Sequence, residues 1–90
     1  MMVHVKILGN KKPQRYALQR AVLAAHRELL QEHPGLEVEI TEAKDSQEIQ
    51  KFTPVFVYPS LMVNDELVCI GRHPRKEEVA GWLRQAMNIE

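Results

Sequence analysis

The chain has 90 residues, with twelve Lys and Arg, twelve Asp and Glu, four His and a single Cys. This length is typical of one domain, so we expect residues 1–90 to fold as a single unit. A single cysteine excludes an internal disulfide, and with it the disulfide-stapled secreted scaffolds and the Cys-rich metal clusters. The formal net charge of zero argues against nucleic acid as a partner, because electrostatic binding to phosphates needs a clear basic excess.

The first residues lack the pattern of a secretory signal, because Lys6 interrupts a short apolar run and no small-residue cleavage site follows. No uncharged stretch approaches the roughly eighteen residues that a membrane helix needs. We therefore expect no membrane partner, and the low cysteine content fits a reducing, cytoplasmic location.

A change of hydrophobic period separates the first strand from the first helix. Apolar and polar residues alternate over residues 3–7, which predicts a strand. From about residue 13 to residue 32 the apolar side chains recur every three or four positions, which predicts an amphipathic helix. Asn10 is the expected cap of this helix, and residues 33–35, His-Pro-Gly, are expected to end it.

Alternation returns over residues 36–40, which predicts a second strand. Strand, helix and strand over so short a distance form a βαβ unit, whose two strands are parallel and joined by a right-handed crossover. Residues 45–48 resemble a capping box with Asp45 as the cap, followed by a short second helix that carries Ile49 and Phe52.

Two apolar strands, residues 61–63 and residues 66–70, are expected to form an antiparallel hairpin. Asn64 and Asp65 separate them, and both residue types tolerate the left-handed backbone that a tight turn requires. Residues 74–87 form the last predicted helix, and its apolar face consists of Val79, Trp82, Leu83 and Ala86. The order β-α-β-α-β-β-α predicts an α/β domain with a four-stranded mixed sheet and helices on both faces.

Residues 59–79, PSLMVNDELVCIGRHPRKEEV, resemble a segment of the small thioredoxin-like "redox-active disulfide" proteins of bacteria and archaea. The shared features are a Pro, a small residue and a Leu that open the third strand, a tight hairpin turn, and Gly-Arg followed by Lys-Glu-Glu at the start of the last helix. Earlier in the chain the similarity rests on element order, on Gly9, and on Ile49 and Phe52. The resemblance implies a thioredoxin-like fold in which Pro59 is a cis proline.

The family's chemistry depends on a Cys-x-x-Cys at the start of the first helix, opposite that proline. There the helix dipole lowers the pKa of the first thiol, which produces a reactive thiolate. The aligned residues of this chain are Lys12-Pro13-Gln14-Arg15, so both cysteines are replaced. Neither an ammonium nor a guanidinium group attacks a disulfide, so we expect no catalytic residues and, more generally, no enzyme.

The only thiol, Cys69, falls among apolar residues of the predicted fourth strand. A cysteine in that position usually behaves as a small core hydrophobe with a raised pKa. Thiol–disulfide activity through Cys69, including a mixed disulfide or a redox-sensing role, remains the alternative. No cofactor is expected, and no metal, because the histidines lack metal-ligand spacing; they are His4, His26, His33 and His73.

A local basic cluster stands where the dithiol is missing, at Lys11, Lys12 and Arg15. One interpretation is a solvated loop, and another is an anion site, because free N–H groups at a helix start bind phosphate or carboxylate. Our hypothesis is that Lys12, Arg15, Tyr58 and Pro59 bind a protein partner through an acidic or extended peptide segment. The neighbouring apolar run, residues 55–57, is expected to pack under the sheet.

Overall fold

The computed structural model describes residues 2–51 and 58–87. Its strands lie in the order β2-β1-β3-β4, with β1 and β2 parallel and the other two pairs antiparallel. This arrangement confirms the predicted element order and the mixed sheet. The elements are β1 (Met2–Leu8), α1 (Lys12–Leu29), β2 (Glu37–Ala43), α2 (Ser46–Gln50), β3 (Ser60–Val63), β4 (Glu66–Ile70) and α3 (Lys76–Ala86).

The main core lies between the sheet and the helices α1 and α3. Strand β1 is central, and its alternate residues Val3, Val5 and Ile7 are at most 1% exposed. The burial of so many apolar side chains on one face is the principal stabilisation of a domain this small. The opposite face carries a smaller cluster of buried residues: Leu8, Ala43 and Met62.

Helix α2 lies over that opposite face. Glu48, within α2, and Lys51, directly after it, line one depression together with Lys6 and Thr41 of the sheet. The backbone N–H of Glu48 donates to Asp45 Oδ1 at 2.8 Å, and Glu48 Oε2 accepts the N–H of Lys44 at 2.9 Å. Asp45 is therefore the cap, as predicted.

The predictions for Phe52 and for the run at residues 55–57 lie outside the described residues, as does the side chain of Ile49.

Helix α1 begins one residue before the predicted start and ends three residues before the predicted end. Its buried stripe has spacings of four, three and four residues, as amphipathic packing requires; it consists of Leu18, Val22, Ala25 and Leu29. The prediction that Asn10 caps α1 is wrong. Lys11 is the N-cap, with extended backbone and no side-chain cap bond, and its carbonyl oxygen accepts the N–H of Arg15 at 3.2 Å.

Strand β2 extends three residues beyond its predicted end. Each of its seven residues pairs with β1, from Met2 opposite Glu37 to Leu8 opposite Ala43. The added residues are mostly polar, so their strand conformation depends on pairing with β1 and left no apolar signal in the sequence. Helix α3 starts two residues later than predicted, at Lys76, because the chain remains extended up to Arg75.

The hairpin between β3 and β4 turns at the two predicted residues. Asn64 and Asp65 have φ angles of 48° and 68°, which is the left-handed region that a tight turn needs. Asn64 also ties the turn to β1, since its N–H donates to His4 O at 2.8 Å and its Oδ1 accepts the N–H of His4 at 2.9 Å.

The pairing register of this hairpin shifts between Leu61 and Met62. Leu61 is opposite Cys69, whereas Met62 is opposite Leu67. This irregularity, typical of a β-bulge, leaves both Val68 and Cys69 in contact with the main core.

Candidate functional site

The candidate site lies at the edge of the sheet where β1 ends and α1 begins. Leu8 pairs with Ser60, so the loop after β1 lies beside the residues that precede β3. The Tyr58–Pro59 peptide bond is cis, and the carbonyl oxygen of Pro59 accepts the N–H of Gly71 at 2.8 Å. The fold thus brings the start of α1, Pro59 and the end of β4 to one edge.

Arg15 links the loop after β1 to strand β2 through contacts with Gly9 and Glu42. Its side chain is 14% exposed, Nη1 donates to Gly9 O at 3.0 Å, and Nε lies 3.9 Å from Oε1 of Glu42. Gly9 permits this close approach, because a Cβ added there would lie 3.2 Å from Cγ of Arg15. Arg15 is therefore a positioning residue for the loop, with most of its side chain covered.

Lys12, in contrast, is exposed in the first turn of α1. In the described part of the chain neither Lys11 nor Lys12 has a carboxylate within 4.0 Å, and the first turn contains no acidic residue. These cations stand beside the positive end of the helix dipole, a combination that favours an anionic contact.

Tyr58 faces the fold more than the solvent. It is half-buried and packs against the small cluster that contains Leu8, Ala43 and Met62, and its hydroxyl is buried without a hydrogen-bond partner among the described residues. Pro59 is buried. Of the four residues that the sequence assigns to a binding face, Lys12 alone is exposed, whereas Arg15 and Tyr58 are half-buried and Pro59 is buried.

Cys69 belongs to the main core and is 3% exposed, which confirms its predicted burial. Burial raises the pKa of the Cys69 thiol, and the nearby positive charge of Arg72 offsets only part of that effect. The sulfur donates to the carbonyl oxygen of Arg72 at 3.4 Å. These surroundings keep Cys69 as a neutral thiol at physiological pH.

A charged network beside Cys69 was not predicted from the sequence. Arg72 donates to both carboxylate oxygens of Glu78, at 2.9 and 2.6 Å, and Glu78 Oε1 also accepts the N–H of Arg75 at 3.1 Å. The bidentate bond from Arg72, followed by the bond from Arg75, lowers the pKa of Glu78 to about 2. The Glu at the third position of α3 was the available signal, because such residues commonly cap a helix start.

Two of the histidines, His26 and His33, are half-buried. His26 Nε2 donates to Leu36 O at 2.9 Å, which ties α1 to the segment that enters β2. His33 Nε2 lies 3.8 Å from Oε2 of the adjacent Glu32. In the part of the chain that the structure describes, no three His, Cys, Asp or Glu side chains are placed to hold a metal ion.

A shallow groove of about 480 Å³ runs over the face of β1 that points away from α1. His4 and Glu39 line it, with Nδ1 and Oε2 separated by 3.8 Å, and Lys6 and Met62 lie along it. Within residues 2–51 and 58–87, no helix has the length and apolar character needed to cross a membrane.

Comparison with known proteins assigns the fold to a family. No curated protein matches this sequence. A family model described as a thioredoxin domain matches residues 3–84, which is most of the chain and leaves out only the first residue of β1 and the last two residues of α3 among the helices and strands. The chain therefore belongs to the thioredoxin-domain family.

Proposed function

We propose that this thioredoxin domain performs no thiol–disulfide exchange and instead binds a protein partner at the start of α1. The observation that supports the proposal is the position of its only thiol. Cys69 is 3% exposed in the core, while Lys12 and Arg15 occupy the helix start where the family's reactive dithiol is expected. Neither of those two side chains transfers electrons, and the raised pKa of Cys69 opposes thiolate formation.

The partner segment that we propose is acidic and extended. Lys11 and Lys12 offer two exposed cations at the positive end of α1, and Pro59 lies at the same edge of the sheet. In this proposal Lys12 contacts the partner, Arg15 shapes the loop, and Tyr58 and Pro59 support it from below. A small-anion site at the same helix start would use the same cations, and a titration with inorganic phosphate distinguishes it from peptide binding.

A turnover assay tests the redox part of the proposal. The intact chain and its Cys69→Ser variant are compared for insulin reduction and for glutathione exchange. We expect both to match the uncatalysed rate. Turnover by the intact chain that disappears in Cys69→Ser would establish thiol chemistry at Cys69 and refute the proposal.

Charge reversal tests the binding part. Reversal of Arg15 would set a second carboxylate beside Glu42 and disturb the loop, so Lys12→Glu alone is the informative variant. Lys51→Glu is the matched control, since Lys51 is also exposed but lies beside α2. We expect affinity capture from native lysate to lose its specific protein with Lys12→Glu and keep it with Lys51→Glu. Equal capture by the two variants would exclude binding through Lys12.

A further inference from the structure

The side of α1 that faces away from the core carries a continuous row of large side chains. At 3.6 residues per turn, spacings of four, four, three and four place them on one face, opposite the buried stripe. All are exposed to solvent. We call this row the outer face of α1; it consists of Lys12, Tyr16, Arg20, Leu23 and Arg27.

The outer face exposes two apolar side chains that a solvated helix does not need. Tyr16 is 59% exposed and Leu23 is 45% exposed. They are seven residues apart, or about 10 Å along the helix axis. This separation matches two turns of a second helix laid alongside, so one partner helix can contact both.

The charge of the outer face is one-sided. No Asp or Glu occurs from residue 12 to residue 27. The guanidinium of Arg20 lies 5.8 Å from the centre of the Tyr16 ring, a cation–π contact that leaves the charge uncompensated. Among the described residues, Arg27 has no carboxylate within 4.0 Å. A chain with zero net charge thus presents a basic face on α1.

We propose that the outer face of α1 docks an amphipathic helix of a partner protein, with apolar residues one and two turns apart and Asp or Glu beside them. The apolar residues cover Tyr16 and Leu23, and the carboxylates pair with Arg20 and Arg27. Charge complementarity selects this occupant. A second copy of the same face would bring like charges together, and two apolar side chains form too narrow a stripe to hold a helix in a membrane.

The outer face shares Lys12 with the peptide site near Pro59, and its other four residues lie further along α1. Arg20 and Arg27 lie two and four turns further along α1 than Lys12, about 12 and 22 Å from it along the helix axis, and neither is assigned to the peptide site. Variants at these two positions therefore test the outer face without changing the peptide site.

The test is a nuclear magnetic resonance titration of the ¹⁵N-labelled full chain with a synthetic helical peptide that carries Leu on one face and Glu beside it. We expect saturable amide shifts confined to the outer face of α1, and no binding of a matched peptide in which Lys replaces Glu. The double variant Arg20→Glu/Arg27→Glu should weaken binding about tenfold or more, because two pairings are lost and two repulsions are added. Leu23→Ala should also weaken it, and Lys51→Glu should not.

The proposal is overturned if the Lys peptide binds as tightly as the Glu peptide, if the shifts fall elsewhere, or if no saturable shift occurs. Binding of the chain to vesicles of anionic lipid that is lost in Arg20→Glu/Arg27→Glu would assign the surface to membranes and equally overturn it. The double variant should still bind any protein that the intact chain captures through Lys12. The outer-face proposal and the peptide-site proposal can therefore fail separately.

Discussion

The chemistry of a cysteine depends on its surroundings, and in this chain the surroundings suppress it. Cys69 faces the core from an edge strand, and its sulfur donates to a backbone carbonyl. A thiolate there would lose its hydration without gaining the helix N-terminus that the family uses. At the helix start, the side chain of Arg15, which the sequence assigns to a binding face, donates a hydrogen bond to Gly9 O and forms an ion pair with Glu42.

The first prediction concerns the reactivity of Cys69. Alkylation by iodoacetamide at pH 8 should be at least about tenfold slower in the folded chain than in glutathione, because burial raises the pKa of the thiol and blocks access. The measurement is the rate of mass increase of the intact protein. In concentrated guanidinium chloride the same thiol should react fully, and a folded-state rate equal to that of glutathione would contradict the prediction.

At the scale of the element, helices α1 and α3 differ in the charged side chains of their first turns. Helix α3 begins with two acidic residues in its first turn, and the carboxylate of Glu78 binds both Arg72 and the backbone N–H of Arg75. Helix α1 begins with cations and without a side-chain cap, which is electrostatically unfavourable. The start of α1 therefore lacks the acidic side chains that stabilise the start of α3.

The second prediction concerns the pH dependence that Glu78 imparts. Its pKa is lowered from 4.5 to about 2 in the folded state, so its contribution to stability is present above about pH 4.5 and disappears as the pH falls towards 2. Glu78→Gln should therefore lower the thermal midpoint at pH 7, and the difference from the unmodified chain should shrink over that acidic range. Glu77→Gln, in the same turn, is the control and should show a smaller effect at every pH. A constant difference for Glu78→Gln would contradict the prediction.

The third prediction concerns the hairpin. Asp65 has a φ of 68°, and a side chain in that region carries a steric cost that glycine avoids. Asp65→Gly should raise the free energy of unfolding by up to about 1 kcal/mol, measured by urea denaturation. Asn64→Ala should instead lower the free energy of unfolding by about 1 kcal/mol, because the hydrogen bond from His4 N–H to Asn64 Oδ1 is lost. A loss of stability in Asp65→Gly would show that the side chain of Asp65 contributes more than the turn geometry indicates.

At the scale of the whole molecule, the sheet has two unequal faces. Helices α1 and α3 cover one face with the main core, while the described part of α2 covers only one end of the other. Charge is distributed unevenly as well, since the outer face of α1 is basic and β2 carries Glu37, Glu39 and Glu42. Zero net charge therefore describes this molecule poorly, because each surface presents its own local field.

The fourth prediction compares two leucines of α1 in opposite environments. Leu18 is 1% exposed and Leu23 is 45% exposed. Leu18→Ala should cost about 2–5 kcal/mol of unfolding free energy, whereas Leu23→Ala should change it by less than about 0.5 kcal/mol. Urea denaturation measures both. A large loss in Leu23→Ala would mean that Leu23 stabilises the fold, which would weaken the case for the outer face as a docking surface.

The sequence predicted the elements well where the periodic signal is local. The alternation of apolar and polar side chains over residues 3–7 predicted β1. Asn64 and Asp65, which tolerate a left-handed backbone, predicted the hairpin turn. Prediction failed at the end of β2, whose polar residues become a strand through pairing with β1, and at Asn10, one residue before the true N-cap. The assignment of Arg15 and Tyr58 to a binding face stays a prediction; both side chains are half-buried, and spacing along the chain does not show which way a side chain turns.

The sequence by itself determined the order of the elements and the presence of a single cysteine, because the hydrophobic period and the residue types are properties of the chain alone. Only the tertiary structure decided that Cys69 is shielded, that Arg15 is bound to Glu42, and that the outer face of α1 remains uncovered among the described residues. Each of these depends on contacts between residues distant in the chain. Burial and pairing are set by which elements pack together, and that arrangement distinguishes a side chain that supports the fold from one that can meet a partner.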